Sequence, residues 1–305
     1  MKPILNCCVY MHVEPDLMKG NQSMSIHRIE NRASRTADIT CGCRAVSFYE
    51  SNPFLKSGDW IAPLLLPKEV QTLLKIPHAD KLLRVLLGPK GVYEWVIART
   101  KYIDTLFEKA AADTFSQVII LGAGFDSRAV RFHKELAGAK VFELDSGTTQ
   151  LMKTIQYVKK GIIVPDNVTF IPINFEMESV TAKLEKAGFI KGAKTLLLLE
   201  GAVQYLKPDL VLQTMASILG LTGPGSRLIL EYGEAGMVDW QDNGVEQLKF
   251  GLNESVVDLF LAESGYRLLD RKDSKELEKT FFTDSRGRIR NKVQGNQSIL
   301  VAERM

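Results

Sequence analysis

The chain has 305 residues, of which 45% are hydrophobic and 25% charged, and its 39 basic and 36 acidic residues leave a formal charge of +3. That is the composition of an ordinary globular protein of one large or two smaller domains. Near-balanced charge without a block of one sign gives no compositional ground for a nucleic-acid or membrane-surface partner, and apolar runs such as Leu196–Leu199 are too short to span a bilayer.

The opening "MKPILNCCVYMHVEPDLMKG" has a single short apolar stretch and no small-residue cleavage site, so it does not read as a signal peptide. Residues 1–23 are expected to be an extension, with Met24 an alternative start. All four cysteines (Cys7, Cys8, Cys41, Cys43) fall in the first 43 residues. They make no disulfide framework, which points to a reducing, cytoplasmic setting. Their spacing with His12 and His27 matches no zinc-finger pattern, so no metal is expected.

Residues 24–115 are mostly helix-like, punctuated by Pro53, Gly58, Pro63, Pro67, Pro77, Gly88 and Pro89. They are read as a helical cap, with Phe48, Tyr49, Phe54 and Trp60 as core. The stretch 92–110, "VYEWVIARTKYIDTLFEKA", has helical period, and Arg99 falls within its apolar stripe of Val92, Trp95, Val96, Tyr102, Ile103, Leu106 and Phe107. An arginine there needs a carboxylate. The partner is either internal, as a salt bridge, or belongs to a ligand held by the guanidinium fork.

From residue 116 to 305 strand-like and helix-like stretches alternate. Strands are predicted at 117–121, 140–145, 168–175, 194–200 and 226–232, and helices at 127–137, 148–160, 178–187 and 208–219. This is the pattern of βαβ units and a parallel sheet. A helix over 245–263, a strand at 266–270, a polar segment at 272–296 read as a partly mobile loop, and a strand at 298–304 follow. The last two strands, with no helix pattern between them, suggest an antiparallel pair and a seven-stranded sheet.

"VIILGAGFDSR" (118–128) brings the first strand into Gly122 and Gly124. Ser127 stands where a dinucleotide fingerprint has its third glycine, and Asp126 opposes a phosphate at the helix start. An adenosine without a phosphate fits this turn better. Glu143 and Asp145 lie 19 and 21 residues beyond Gly124, where a carboxylate can accept both ribose hydroxyls. Helix capping is the alternative role for Asp126 and Asp145. Glu143, inside an apolar strand, needs a partner. Glu200 ends the central run "LLLLE", where open α/β sheets place their ligands.

Taken together, "VIILGAGFDSRAVRF", "VFELD", "FIPINFE", "LLLLEGAVQYL" and "GSRLILEYG" resemble the leucine carboxyl methyltransferase family, which includes bacterial O-methyltransferases of polyketide biosynthesis. The resemblance runs over about residues 30–235, and it implies the class I seven-stranded, Rossmann-like α/β fold and S-adenosyl-L-methionine as cofactor. It further implies that Arg99 holds the methionine carboxylate, that Gly122 and Gly124 pack against the methionine part, and that Asp145 takes the ribose hydroxyls. Asn174 and Phe175, at the end of strand three, would lie beside the adenine, with Asn174 where the family usually has Asp. Glu200 would sit near the methionine moiety and Tyr205 at the mouth of the substrate cavity, while Arg44 matches a basic cap position loosely. The acceptor implied is a small metabolite carboxylate or hydroxyl. A carboxylate nucleophile needs no general base, and His12, His27, His78 and His133 all lie outside the strand-end motifs. A nicotinamide-dependent oxidoreductase and a non-catalytic cofactor-binding protein are the competing readings.

Overall fold

The computed structural model describes residues 35–76, 79–87, 91–110, 112–237 and 248–305. The expected extension at 1–23, Met24, Cys7, Cys8 and the histidines at 12, 27 and 78 lie outside the described residues.

The sheet has seven strands: β1 (Gln117–Leu121), β2 (Lys140–Asp145), β3 (Val168–Pro172), β4 (Thr195–Leu199), β5 (Arg227–Gly233), β6 (Tyr266–Asp273) and β7 (Gln297–Arg304). Their order is β3-β2-β1-β4-β5-β7-β6. The first five are parallel, and β7 lies antiparallel between β5 and β6. The parallel strands are those expected from the alternating pattern, β6 and β7 form the expected antiparallel pair, and the whole is the class I sheet that the resemblance implies. The "LLLL" run explains its own burial. With a side-chain period of two, Leu196 and Leu198 enter one core and Leu197 and Leu199 the other. Both faces of the central strand are therefore covered, as parallel sheets require.

The N-terminal helices cover one face. They are α1 (Arg35–Tyr49), α2 (Ala62–Leu65), α3 (Lys68–Leu74), α4 (Ala79–Leu86) and α5 (Val92–Ala110). α5 buries Trp95, Val96, Ile97, Ile103 and Phe107 in the same core as Val118, Ile120, Leu196, Leu198 and Ile229. Cys41 and Cys43 are buried thiols on α1. The crossover helices α6 (Arg128–Arg131), α7 (Gly147–Lys160), α8 (Val180–Lys186), α9 (Pro208–Leu221) and α10 (Val257–Glu263) follow. Pro208 occupies the first turn of α9, where its missing N–H costs nothing.

β3 ends at Pro172 rather than 175 and β6 runs to Asp273 rather than 270, and three elements differ further. The first crossover helix covers Arg128–Arg131 rather than 127–137, because the chain then continues in turns whose carbonyls find other partners. Asn167 Nδ2 donates to Leu136 O at 3.0 Å and Ala139 O at 2.6 Å. The helix expected over 245–263 is regular only from Glu254, as a 3₁₀ turn leading into α10; residues 245–247 lie outside the described residues. The segment read as a mobile loop holds helix α11 (Ser274–Phe281), which intervenes between the two antiparallel strands. A capping box starts it: Asp273 accepts from Glu276 N at 2.8 Å, and Glu276 accepts from Asp273 N at 3.0 Å.

Candidate active site

Strand order reverses between β1 and β4. The crevice beyond their C-terminal ends is the topological switch point of the sheet, where such folds bind ligands. Three glycines with positive φ line it: Gly122 (64°), Gly124 (47°) and Gly201 (66°). A Cβ on Gly122 would stand 2.6 Å from Ala202 Cβ, and one on Gly124 3.1 Å from Ala37 Cβ on α1. The loops after β1 and β4 and the first turn of α1 therefore meet at glycine distance. No larger residue fits at Gly122 without a shift of backbone.

Arg99 reaches the crevice from α5, and what it meets there is internal. Its Nη1 donates to Glu231 Oε1 and Oε2, both at 2.7 Å, and its Nε lies 2.9 Å from Glu200 Oε1. Of the two readings left open by spacing, the structure shows the salt bridge. Glu231 also accepts Trp95 Nε1 at 2.9 Å and Gly201 N at 2.7 Å. One carboxylate thus fixes α5 and the turn after β4 together.

Glu200 is shared. Its Oε2 accepts Arg128 Nη1 at 2.5 Å, and that nitrogen also reaches Asp126 Oδ2 at 2.5 Å. Arg128 Nε donates to Asp104 at 2.8 Å, and its Cζ lies 5.8 Å from the centre of the Phe107 ring. Burial pushes the Glu200 carboxyl up, but the charges of Arg128 and Arg99 outweigh it and hold it below the usual carboxylate range. Burial likewise raises Asp126, and the Arg128 charge overcomes this to leave it at about 2. Asp126 Oδ1 also accepts Arg128 N at 2.7 Å, from the position before the helix's N-cap, Ser127, which makes no side-chain cap bond.

The lattice continues into the cap. Arg44 donates through Nε to Asp59 at 2.9 Å and through Nη2 to Phe125 O at 2.8 Å. Ser127 Oγ donates to Asp59 at 2.8 Å, and Arg131 pairs with Asp104 at 2.8 Å. Around the crevice, arginines 44, 99, 128 and 131 face the carboxylates of Asp59, Asp104, Asp126, Glu200 and Glu231, an excess of one negative charge.

The two acidic positions of β2 separate. Asp145 lies at the crevice, where its carboxylate accepts Gly124 N and Ser146 N, both at 2.7 Å. Capping of α7 belongs to Ser146, whose Oγ accepts from Thr149 N at 3.4 Å, so Asp145 is not that cap. Glu143 turns inward and pairs with the fully buried Lys153 at 2.5 Å. It is therefore not a crevice residue. Burial pushes its carboxyl up to about 7 against the pull of Lys153.

Asn174 is half-buried beyond β3, with its Oδ1 accepting Glu176 N at 3.0 Å, and Phe175 packs against the second core. Tyr205 closes a 3₁₀ turn (Val203–Tyr205) three residues after Ala202, half-buried, with its hydroxyl 3.5 Å from Gln204 Nε2. The structure thus brings Arg99, Gly122, Gly124, Asp145 and Glu200 to one crevice, with Tyr205 on the loop after β4 and Asn174 and Phe175 beyond β3. It adds Glu231, Arg128, Asp126 and Asp104 to the expected set. Glu231 carried a signal, being a carboxylate within the apolar strand "LILEYG".

The donor set suits a nucleoside that carries positive charge and no phosphate. Glycines allow close approach, Asp145 retains lone pairs beside its two amide donors, and carboxylates outnumber guanidiniums. The family model for leucine carboxyl methyltransferase matches residues 43–219. A protein of Mycobacteroides abscessus is 29% identical over 203 residues, covering 64% of this chain and 66% of that protein. One of Mycobacterium avium is 31% identical over 177 residues, covering 58% and 57%. One of Mycolicibacterium smegmatis is 29% identical over 256 residues, covering 77% and 82%. All three carry S-adenosyl-L-methionine-dependent methyltransferase as a provisional designation. The first two matches span less than two thirds of the relatives' own length. The family match, over more than half of the chain and including the crevice from Arg99 to Tyr205, decides the assignment: the chain belongs to the leucine carboxyl methyltransferase family.

Proposed function

We propose that this chain is an S-adenosyl-L-methionine-dependent methyltransferase that methylates an oxygen, carboxylate or hydroxyl, of a small metabolite. The observation that carries the reading is the crevice between β1 and β4. It is a glycine turn lined by Asp126, Asp145 and Glu200, whose carboxylates outnumber the two arginines, Arg99 and Arg128, paired with them, a balance that favours a cationic ligand over a phosphate. When bound, S-adenosyl-L-methionine supplies a methyl group already activated by the sulfonium.

The protein's part is alignment and exclusion of water. In this reading Asp145 holds the ribose hydroxyls, Gly122 and Gly124 admit the methionine chain, and Asn174 and Phe175 flank the adenine. Arg99 is fixed by Glu231 through Nη1, and its Nε contact with Glu200 is the one a ligand carboxylate would displace. Glu200, held through Oε2 by Arg128, would be the carboxylate facing the ligand's ammonium. In this reading Tyr205, on the loop after β4, orients the acceptor oxygen.

Acceptor chemistry follows from the bases at hand. His133, the sole histidine among the described residues, is exposed, and its Nδ1 lies 3.1 Å from Val130 O. Glu200 is held ionised by two arginines and is a weak base. A carboxylate acceptor, or a phenol acidic enough to ionise unaided, suits such a site. The test is transfer from methyl-labelled cofactor to a panel of small carboxylic acids, phenols, amines and thiols. A labelled product that mild alkali hydrolyses is an ester and supports carboxyl methylation, whereas an alkali-stable one is an ether. Labelling confined to amines or thiols would overturn oxygen as the acceptor atom.

A further inference from the structure

The segment after α11 is a built hairpin that presents cations. Phe282 is buried, Thr283 bridges Ile289, Arg290 N donates to Phe282 O at 2.7 Å, and Gly287 makes the turn at φ 75°. Asp284 locks it, with Oδ1 accepting Arg286 N at 2.9 Å and Arg288 N at 3.0 Å and Oδ2 accepting Arg288 Nε at 3.0 Å. Its other contacts run to the body of the protein. Asn52 Nδ2 donates to Asn291, Val293 N donates to Glu278, and Asn296 Nδ2 donates to Glu234. Arg286, Arg288, Arg290 and Lys292 are left exposed, at every second residue, against the single carboxylate of Asp284. Among the described residues neither Arg286 nor Lys292 makes an ion pair. The rest of the chain is nearly charge-balanced, so this is a local concentration that a count over the whole sequence hides.

Its place gives it meaning. Gln294 packs against Gly91, directly before α5, and Gln297 pairs with Gly233, two residues after Glu231. Along α5, Trp95 and Arg99 lie about 6 and 12 Å from Gly91 at ~1.5 Å per residue. The hairpin stands at the end of the sheet where the crevice opens.

The geometry points to a docking surface for a partner protein with an acidic face, seated at the rim of the active site. Four cations over seven residues match one acidic helix or loop. A nucleic acid would want a broader basic footprint and exposed aromatic rings for stacking, and residues 283–293 contain no aromatic. The inference goes beyond methyl transfer and stands without it.

The test uses the full chain and a fluorescent octaglutamate peptide as probe, read by anisotropy at about 50 and 200 mM salt, with oligothymidylate and phosphatidylserine vesicles as parallel arms. Octaglutamate is expected to bind in preference to both, more weakly at the higher salt. R286E/K292E should weaken it about tenfold or more, and R286Q/K292Q by less. Thermal melting of both variants, expected at the wild-type Tm, shows that folding is intact. Equal binding of octaglutamate by wild type and R286E/K292E would overturn the proposal, as would no binding at the lower salt or tighter binding of either other probe. Failure of the protein to bind S-adenosylhomocysteine would count against the methyltransferase reading and leave this one standing.

Discussion

Glu231 joins Arg99, Trp95 and Gly201 although it lies 132 residues from Arg99. Its removal leaves a buried guanidinium short of a partner, with an indole N–H and an amide N–H orphaned. Glu231→Ala is expected to cost about 3–5 kcal/mol of stability, measured by urea denaturation; a loss below about 1 kcal/mol would show that the ion pair is not structural. Gly122 makes a different demand. Gly122→Ala meets Ala202 Cβ and also adopts a left-handed φ. G122A should therefore lose cofactor affinity, and G122A/A202G should recover the contact but keep a backbone cost of about 1 kcal/mol. Calorimetric titration and melting separate the two effects. The sequence displayed Glu143, Glu200 and Glu231 alike, as carboxylates in or just after apolar strands. It did not show that Glu143 faces Lys153 while Glu231 faces Arg99, because such pairings are set by tertiary packing and not by local period.

At the scale of elements, the five parallel strands and α5 were legible because each has a strong period and clear punctuation. α11 was not, because "SKELEKTF" is too polar to announce a buried face. Its start was nevertheless written in Asp273 and Glu276, three residues apart, as a capping box. Asp273→Ala should cost about 1 kcal/mol and lower amide-exchange protection across 274–281. Unchanged protection there would show that packing of Leu277 alone holds the helix. The first crossover helix was overextended for the opposite reason. Apolar spacing in 127–137 is helical, but buried turns satisfy the same spacing once Asn167 collects their carbonyls.

For the whole molecule, the charge lattice ties cap to sheet, and its carboxylates set the acid response. Asp126 falls from an ordinary value of 3.8 to about 2, and Asp59 and Glu200 are also held low. A carboxyl whose pKa drops on folding lends stability that is present above its unfolded pKa and is lost as pH falls through the folded value. Melting temperature should therefore decline from about pH 4 towards 2, and Asp126→Asn should make that decline shallower. A steeper acid limb in the variant would contradict the assignment. No described helix is long and apolar enough to cross a membrane. The crevice between β1 and β4 remains the centre of the account, and calorimetric titration with S-adenosylhomocysteine tests it most directly. The expected result is one site per chain with a dissociation constant of roughly micromolar order, weakened in Asp145→Ala, with NAD binding far more weakly. No heat of binding with S-adenosylhomocysteine, or tighter binding of NAD, would contradict it.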